Sequence, residues 1–163
     1  MNRRVLAAMI VVTVVILDQL TKIWAVAALS DEPFDIVGDT VRFQLARNAG
    51  GAFSFVSGAG VTPLLALVAI GVAVVLVRMV GRTEDRCMLI ALALILGGAL
   101  GNLCDRLVRS PGFLRGEVID FVSVGWWPIF NVADSALSIG IVLLLVASFR
   151  SPAARDADES SAV

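Results

Sequence analysis

Four stretches of the chain stay apolar long enough to cross a bilayer, which takes about 20 residues of helix. They cover roughly residues 5–29, 61–80, 87–103 and 129–149. Between the first two, "DIVGDTVRFQLARNAGGAFSFV" alternates apolar and polar positions around Gly and Asp, a pattern that predicts short strands. Between the third and fourth, Pro111-Gly112 marks a turn and "GEVIDFVSVGWWP" leads back toward the membrane, with Trp126 and Trp127 suited to headgroup depth. The predicted fold is an all-α polytopic membrane protein. It has four transmembrane helices, a small extracytoplasmic β-rich segment (30–60) and a second external loop or short helix (104–128). Residues 1–150 form one membrane domain, and 151–163, polar and rich in small residues, form a disordered cytoplasmic tail. No internal repeat is visible.

Composition narrows the chemistry. The 163 residues are 58% hydrophobic and only 17% charged, which agrees with a polytopic membrane protein. A net charge of −1 gives no reason to expect nucleic acid, and the lack of any His removes His triads and His metal sites. Cys87 and Cys104 flank the third apolar run, too far apart to bridge and without an activating base nearby. Arg3, Arg4, Arg78, Arg82, Arg86, Arg150 and Arg155 bias the termini and the second-to-third loop toward the cytoplasm, against Arg42, Arg47, Arg106, Arg109 and Arg115 on the other side. The basic, apolar start with an Ala25-x-Ala27 site resembles a signal peptide, but the charged pair in "DQLTK" points to a retained helix.

Polar residues in the apolar stretches are few and grouped. An Asp inside a spanning helix costs about 2.5–3.5 kcal/mol on insertion scales, so it needs a partner or a task. Asp18 and Lys22, four apart, share a helix face and can pair; the pair either anchors the helix, with Lys22 snorkelling, or braces a site. In "GGALGNLCDR", Gly97/Gly101 and Gly98/Asn102 stand at packing spacing, and Asp105 and Arg106 would tether the helix end. Asn131, Asp134, Ser135 and Ser138 form one polar stripe on the fourth helix, and Asp120 in "VIDF" lies just before it. Asp105, Asp120 and Asp134 can therefore converge. Such a cluster fits a water-activating aspartate pair, an oxygen-ligated divalent cation or a proton-coupled transport site. A Ser135/Lys22 nucleophile pair is the weakest reading.

Five blocks in order sharpen the choice. "DQLTK" (18–22), "NAGGAF" (48–53), "GGALGNLCDR" (97–106), "VIDF" (118–121) and "WPIFNVAD" (127–134) together resemble the lipoprotein signal peptidase family, also called signal peptidase II. The resemblance implies an aspartic endopeptidase of the bacterial plasma membrane that needs no cofactor. It implies removal of signal peptides from diacylglyceryl-modified prolipoproteins, cut before the lipidated cysteine. Asp120 and Asp134 are the implied catalytic pair, with Asp105 as rival for a place in it. Asn102, Asp105, Arg106 and Asn131 would support the pair; Asp18, Lys22, Asn48 and Gly50 would shape the substrate site. "LVRSPGFLRGE" is longer than the family's usual link, and the stretch from Asp120 to Trp127 is short. The expected partners are lipid-modified prolipoproteins and membrane lipid, with the protein acting as a monomer. A groove on the Gly97–Gly101 surface or beside it is expected to take the acyl chains.

Overall fold

The computed structural model describes residues 2–30, 32–38, 40–50 and 61–149. The C-terminal tail and residues 51–53 of the "NAGGAF" block lie outside the described residues. Four helices, α1 (Arg3–Ala28), α2 (Val61–Arg82), α3 (Arg86–Val108) and α4 (Val132–Phe149), are each long and apolar enough to span a membrane. Asn2 caps α1 by accepting from the Arg4 amide at 3.0 Å, and Asp85 caps α3 by accepting from the Met88 amide at 2.6 Å. Helix α3 packs on all three others, so it is the buried centre of a fan.

Small residues make those contacts. A Cβ at Gly97 would come within 2.9 Å of the Val14 Cβ, and one at Gly98 would strike the Ala133 carbonyl oxygen. At Gly101 it would lie 2.7 Å from Asp18 Oδ2. Close approach at these glycines is what draws α1 and α4 onto α3. Of the surface expected to take acyl chains, the Gly97–Gly101 part is thus filled by α1 and α4, because the glycine notch admits neighbouring helices. Large side chains point the other way: Val12, Ile16, Leu20 and Ile23 of α1, and Leu145 and Val142 of α4, are exposed. A lipid-facing bundle has this inside-out character, since apolar surface needs no burial from hydrocarbon.

Four antiparallel strands lie in order: β1 (Phe34–Val37), β2 (Val41–Asn48), β3 (Val118–Val124) and β4 (Trp127–Phe130). The predicted strands of the first segment appear as β1 and β2, turning at Gly38 with φ +47°. The second segment differs from the expected loop or short helix. It supplies β3 and β4, because Gly125 (φ +52°) and Trp126 close a two-residue hairpin in which Val124 pairs with Trp127. The long link folds back on the end of α3, where Gly116 donates to the Arg106 carbonyl at 3.1 Å. A Cβ at Gly116 would strike the Asp105 carbonyl, so the return needs glycine there.

Strand alternation then aims the side chains. Ile119 and Phe121 of β3 face α1, in a cluster with Ala25 and Leu29, and Trp24 meets Phe43 and Phe121 edge-on at 5.3 and 6.1 Å. Val118 and Asp120, one residue out of phase, face the opposite side.

Candidate active site

On that opposite side, β3, β4 and the ends of α3 and α4 enclose a cleft of about 300 Å3. Asn48, Gly50, Asn102, Arg106, Asp120 and Asp134 line its polar part, and Phe130 and Leu137 are among its apolar lining. Six of the ten residues singled out from sequence therefore meet in one place. The other four, Asp18, Lys22, Asp105 and Asn131, are fully buried directly behind it.

Helix α4 begins here with a reciprocal cap. The Asn131 side chain accepts from the Asp134 amide at 2.9 Å, while Asp134 Oδ2 accepts from the Asn131 amide at 3.2 Å. Asp134 is thus fixed at the third helical position, where the helix N-terminus favours negative charge. The intervening amide, from Ala133, donates to Asp18 Oδ1 at 2.9 Å. An aspartate in the middle of α1 therefore holds the N-terminus of α4.

Asn131 and Asn102 join the two cleft carboxylates. Asn131 Nδ2 donates to Asp120 Oδ1 at 2.6 Å and to Asn102 Oδ1 at 3.1 Å, and Asn102 Nδ2 donates to Asp134 Oδ1 at 2.8 Å. Asn48, from β2, donates to Asp120 Oδ2 at 3.1 Å. Arg106 donates to the Asn102 carbonyl at 3.2 Å, and its buried Nε beside the cleft has no partner among the described residues.

The layer behind is ionic. Lys22 Nζ lies 2.8 Å from Asp18 Oδ2, 2.8 Å from Asp105 Oδ2 and 2.9 Å from Asn102 Oδ1. Snorkelling is overturned: Lys22 is fully buried, because three oxygen partners replace its water. Asp105 is further held by Arg109 Nε at 2.7 Å and the Ile119 amide at 3.2 Å. Its carboxylate is committed to this layer, and it is absent from the described cleft lining. Two contributors escaped the sequence reading. Gln19 bridges Asp18, the Gly101 carbonyl and Asp105 at 3.1, 3.1 and 3.3 Å, and Arg109 pairs with Asp105. Arg109 stands four residues after Asp105, a spacing that could have revealed it.

Asp120 belongs to β3, outside the four spans. Burial, and next the Asp134 carboxylate beside it, push its pKa up to about 6, against the opposing pull of the Asn48 and Asn131 hydrogen bonds. A raised acid facing a second carboxylate across a cleft can hold one proton between two groups, which suits general acid and base work on a bound water.

The chain matches the family described as signal peptidase (SPase) II over residues 10–150. It is 51% identical over 147 residues to the lipoprotein signal peptidase of Rhodococcus jostii strain RHA1, covering 89% of this chain and 73% of that protein. It is 50% identical over 137 residues to that of Mycobacterium avium strain 104, covering 83% and 74%. A bacterial membrane enzyme solved by the in meso method at 2.3 Å superposes with a TM-score of 0.75 at 32% identity, over 88% of this chain and 87% of its own. Another, at 1.9 Å, gives 0.73 at 32% identity over 89% and 93%. From these matches over most of its length, the chain belongs to the signal peptidase II family, a family of membrane-spanning proteases that process lipoproteins.

Proposed function

We propose that the protein is an aspartic endopeptidase in which Asp120 and Asp134 activate water to cut a diacylglyceryl-modified prolipoprotein before its lipidated cysteine. The observation that carries this reading is the pair of carboxylates lining one cleft, each tied to the Asn102–Asn131 bridge. Burial favours the proton on Asp120, so Asp120 donates to the scissile carbonyl oxygen while Asp134 takes a proton from the attacking water. The tetrahedral intermediate collapses as Asp134 passes that proton to the amide nitrogen, the C–N bond breaks, and a hydroxyl proton of the intermediate returns to Asp120. Asp105, Lys22 and Asp18 position rather than react: they hold Asn102, the Ile119 amide and the start of α4.

Substrate geometry follows from the same elements. Of the "NAGGAF" block, residues 48–50 are described, and Asn48 and Gly50 line the cleft, where a peptide backbone would lie clamped beside β3. At Ser138 the cleft meets an apolar surface of α4 formed by Ile139, Val142 and Leu143, which would carry the acyl chains. Lipid binding there spends no chemistry but positions the bond. We place the cleft and sheet at the outer face of the bacterial plasma membrane and both termini in the cytoplasm, on the arginine bias. Reporter fusions at Arg82 and Val163 should both read cytoplasmic. The protein is taken to act as a monomer without a cofactor, within one domain over residues 1–150.

The test is incubation of the purified protein with a prolipoprotein peptide, lipidated or not. Product masses should place the cut before the cysteine in the lipidated peptide alone. Equal cleavage of the unlipidated peptide, or a cut elsewhere, would refute the assignment.

A further inference from the structure

The end of the bundle opposite the cleft gathers the start of α1, the end of α2 and the start of α3. Arg3 and Arg4 open α1, Arg78 and Arg82 stand four apart near the end of α2, and Arg86 opens α3. None of the five forms an ion pair among the described residues. Three of them sit at positive helix ends, where cations are unfavourable for the helix itself. Among the described residues, the acids nearby are Glu84, on the rim, and Asp85, whose carboxylate is taken up by the α3 cap.

These arginines surround recesses rather than a flat face. One, of about 350 Å3, is lined by Arg3, Arg4, Gly81, Arg82 and Glu84. A second, of about 250 Å3, shares Arg3 and adds Arg86, with Leu6 and Leu89 as its apolar wall. Toward the bilayer centre, an apolar groove of about 460 Å3 runs between Ile70, Val74 and Val77 of α2 and Leu96, Leu100 and Leu103 of α3. Arg78 also lines it. Ile70, Val74 and Val77 in the groove and Gly81 in the basic recess follow one stripe of α2, so a chain lying along that stripe leads from the groove toward the recess.

We propose that this end of the bundle holds one anionic phospholipid, with its phosphodiester among Arg3, Arg82 and Arg86 and an acyl chain in the α2–α3 groove. Basic pockets between spanning helices suit such headgroups. The apolar groove above the charges favours a lipid over a free phosphate. The charge itself repels a basic peptide segment. This site is separate from the cleft and does not depend on its chemistry.

Native mass spectrometry of the full chain, with phosphatidylglycerol or phosphatidylcholine of matched acyl length, tests the proposal. One phosphatidylglycerol should stay bound under activation that strips phosphatidylcholine. In folded protein, Arg3→Gln, Arg82→Gln and Arg86→Gln should each weaken retention on the order of fivefold, while Arg115→Gln, at the other end, should not. Val74→Phe, which fills the groove, should also lower retention. Equal retention of the two lipids by the unmodified chain would overturn the site even if the arginine variants failed to fold. Displacement of phosphatidylglycerol by equimolar glycerol phosphate would show an anion site without a lipid groove, and would overturn it too.

Discussion

Asp120, one of the two carboxylates proposed for the chemistry, carries an energetic penalty of its own. Its carboxyl is raised from the ordinary 3.8 to about 6, so the folded state binds a proton there more tightly than the unfolded chain. Stability from that proton is complete below the unfolded value and is lost as pH rises through about 6. Asp120→Asn removes this dependence. Relative to the unmodified protein, the variant should therefore gain on the order of 2–3 kcal/mol between about pH 4 and pH 8, read as a pH series of melting curves; an unchanged difference would contradict the raised carboxyl. Lys22 sits under the opposite constraint, since its charge is buried among two carboxylates and one amide oxygen. Lys22→Met leaves Asp18 and Asp105 buried without it and should destabilise by about 3–5 kcal/mol, measurable as a lowered melting temperature. The spacing of Asp18 and Lys22 was readable as a pair. That Asp105 and Asn102 complete it was not, because they lie 80 or more residues away and only the packing of α1 on α3 brings them together.

At the scale of elements, the glycines of α3 divide by what stands opposite them. Gly98→Ala would drive a Cβ into the Ala133 backbone at the start of α4, so it should cost about 1–3 kcal/mol or more and displace Asp134. Gly71→Ala in α2 meets nothing within 4 Å and should be neutral or stabilising by up to about 1 kcal/mol. Paired melting and cleavage assays on these two variants separate close packing from helix propensity. The spans were legible because lipid demands long unbroken apolar runs, and β1–β2 because their alternation is bounded by turn residues. The β3–β4 hairpin was less legible. Its Gly125-Trp126 loop is a short signal embedded in an apolar run, and Pro128 in β4 reads against a strand. The same hairpin explains why Asp120 faces the cleft: Ile119 and Phe121 are claimed by α1.

Across the whole molecule, two ends of one bundle carry different electrostatics. One end assembles four aspartates with Lys22, Arg106 and Arg109 around a cleft; the other assembles arginines around recesses. The sequence displayed every residue of the first group except the roles of Gln19 and Arg109, and its five motif blocks named the family that the chain matches. The family resemblance put Asp120 and Asp134 ahead of Asp105, but residue type and position alone did not rank them, because all three stand at similar depth and differ only in what faces them. The structure separates them by partner: Asp105 is held by two cations, while Asp120 and Asp134 are held by amides and open on the cleft.

That distinction sets the decisive measurement, which is single-turnover cleavage of a diacylglyceryl-modified prolipoprotein by Asp120→Asn, Asp134→Asn and Asp105→Asn, each shown to be folded. Loss of general acid–base action predicts rates lower by at least about 10²–10⁴ for the first two. Asp105→Asn should lose stability foremost and keep measurable turnover. Full activity in either of the first two, or abolished activity confined to a folded Asp105→Asn, would contradict the assignment of the catalytic pair.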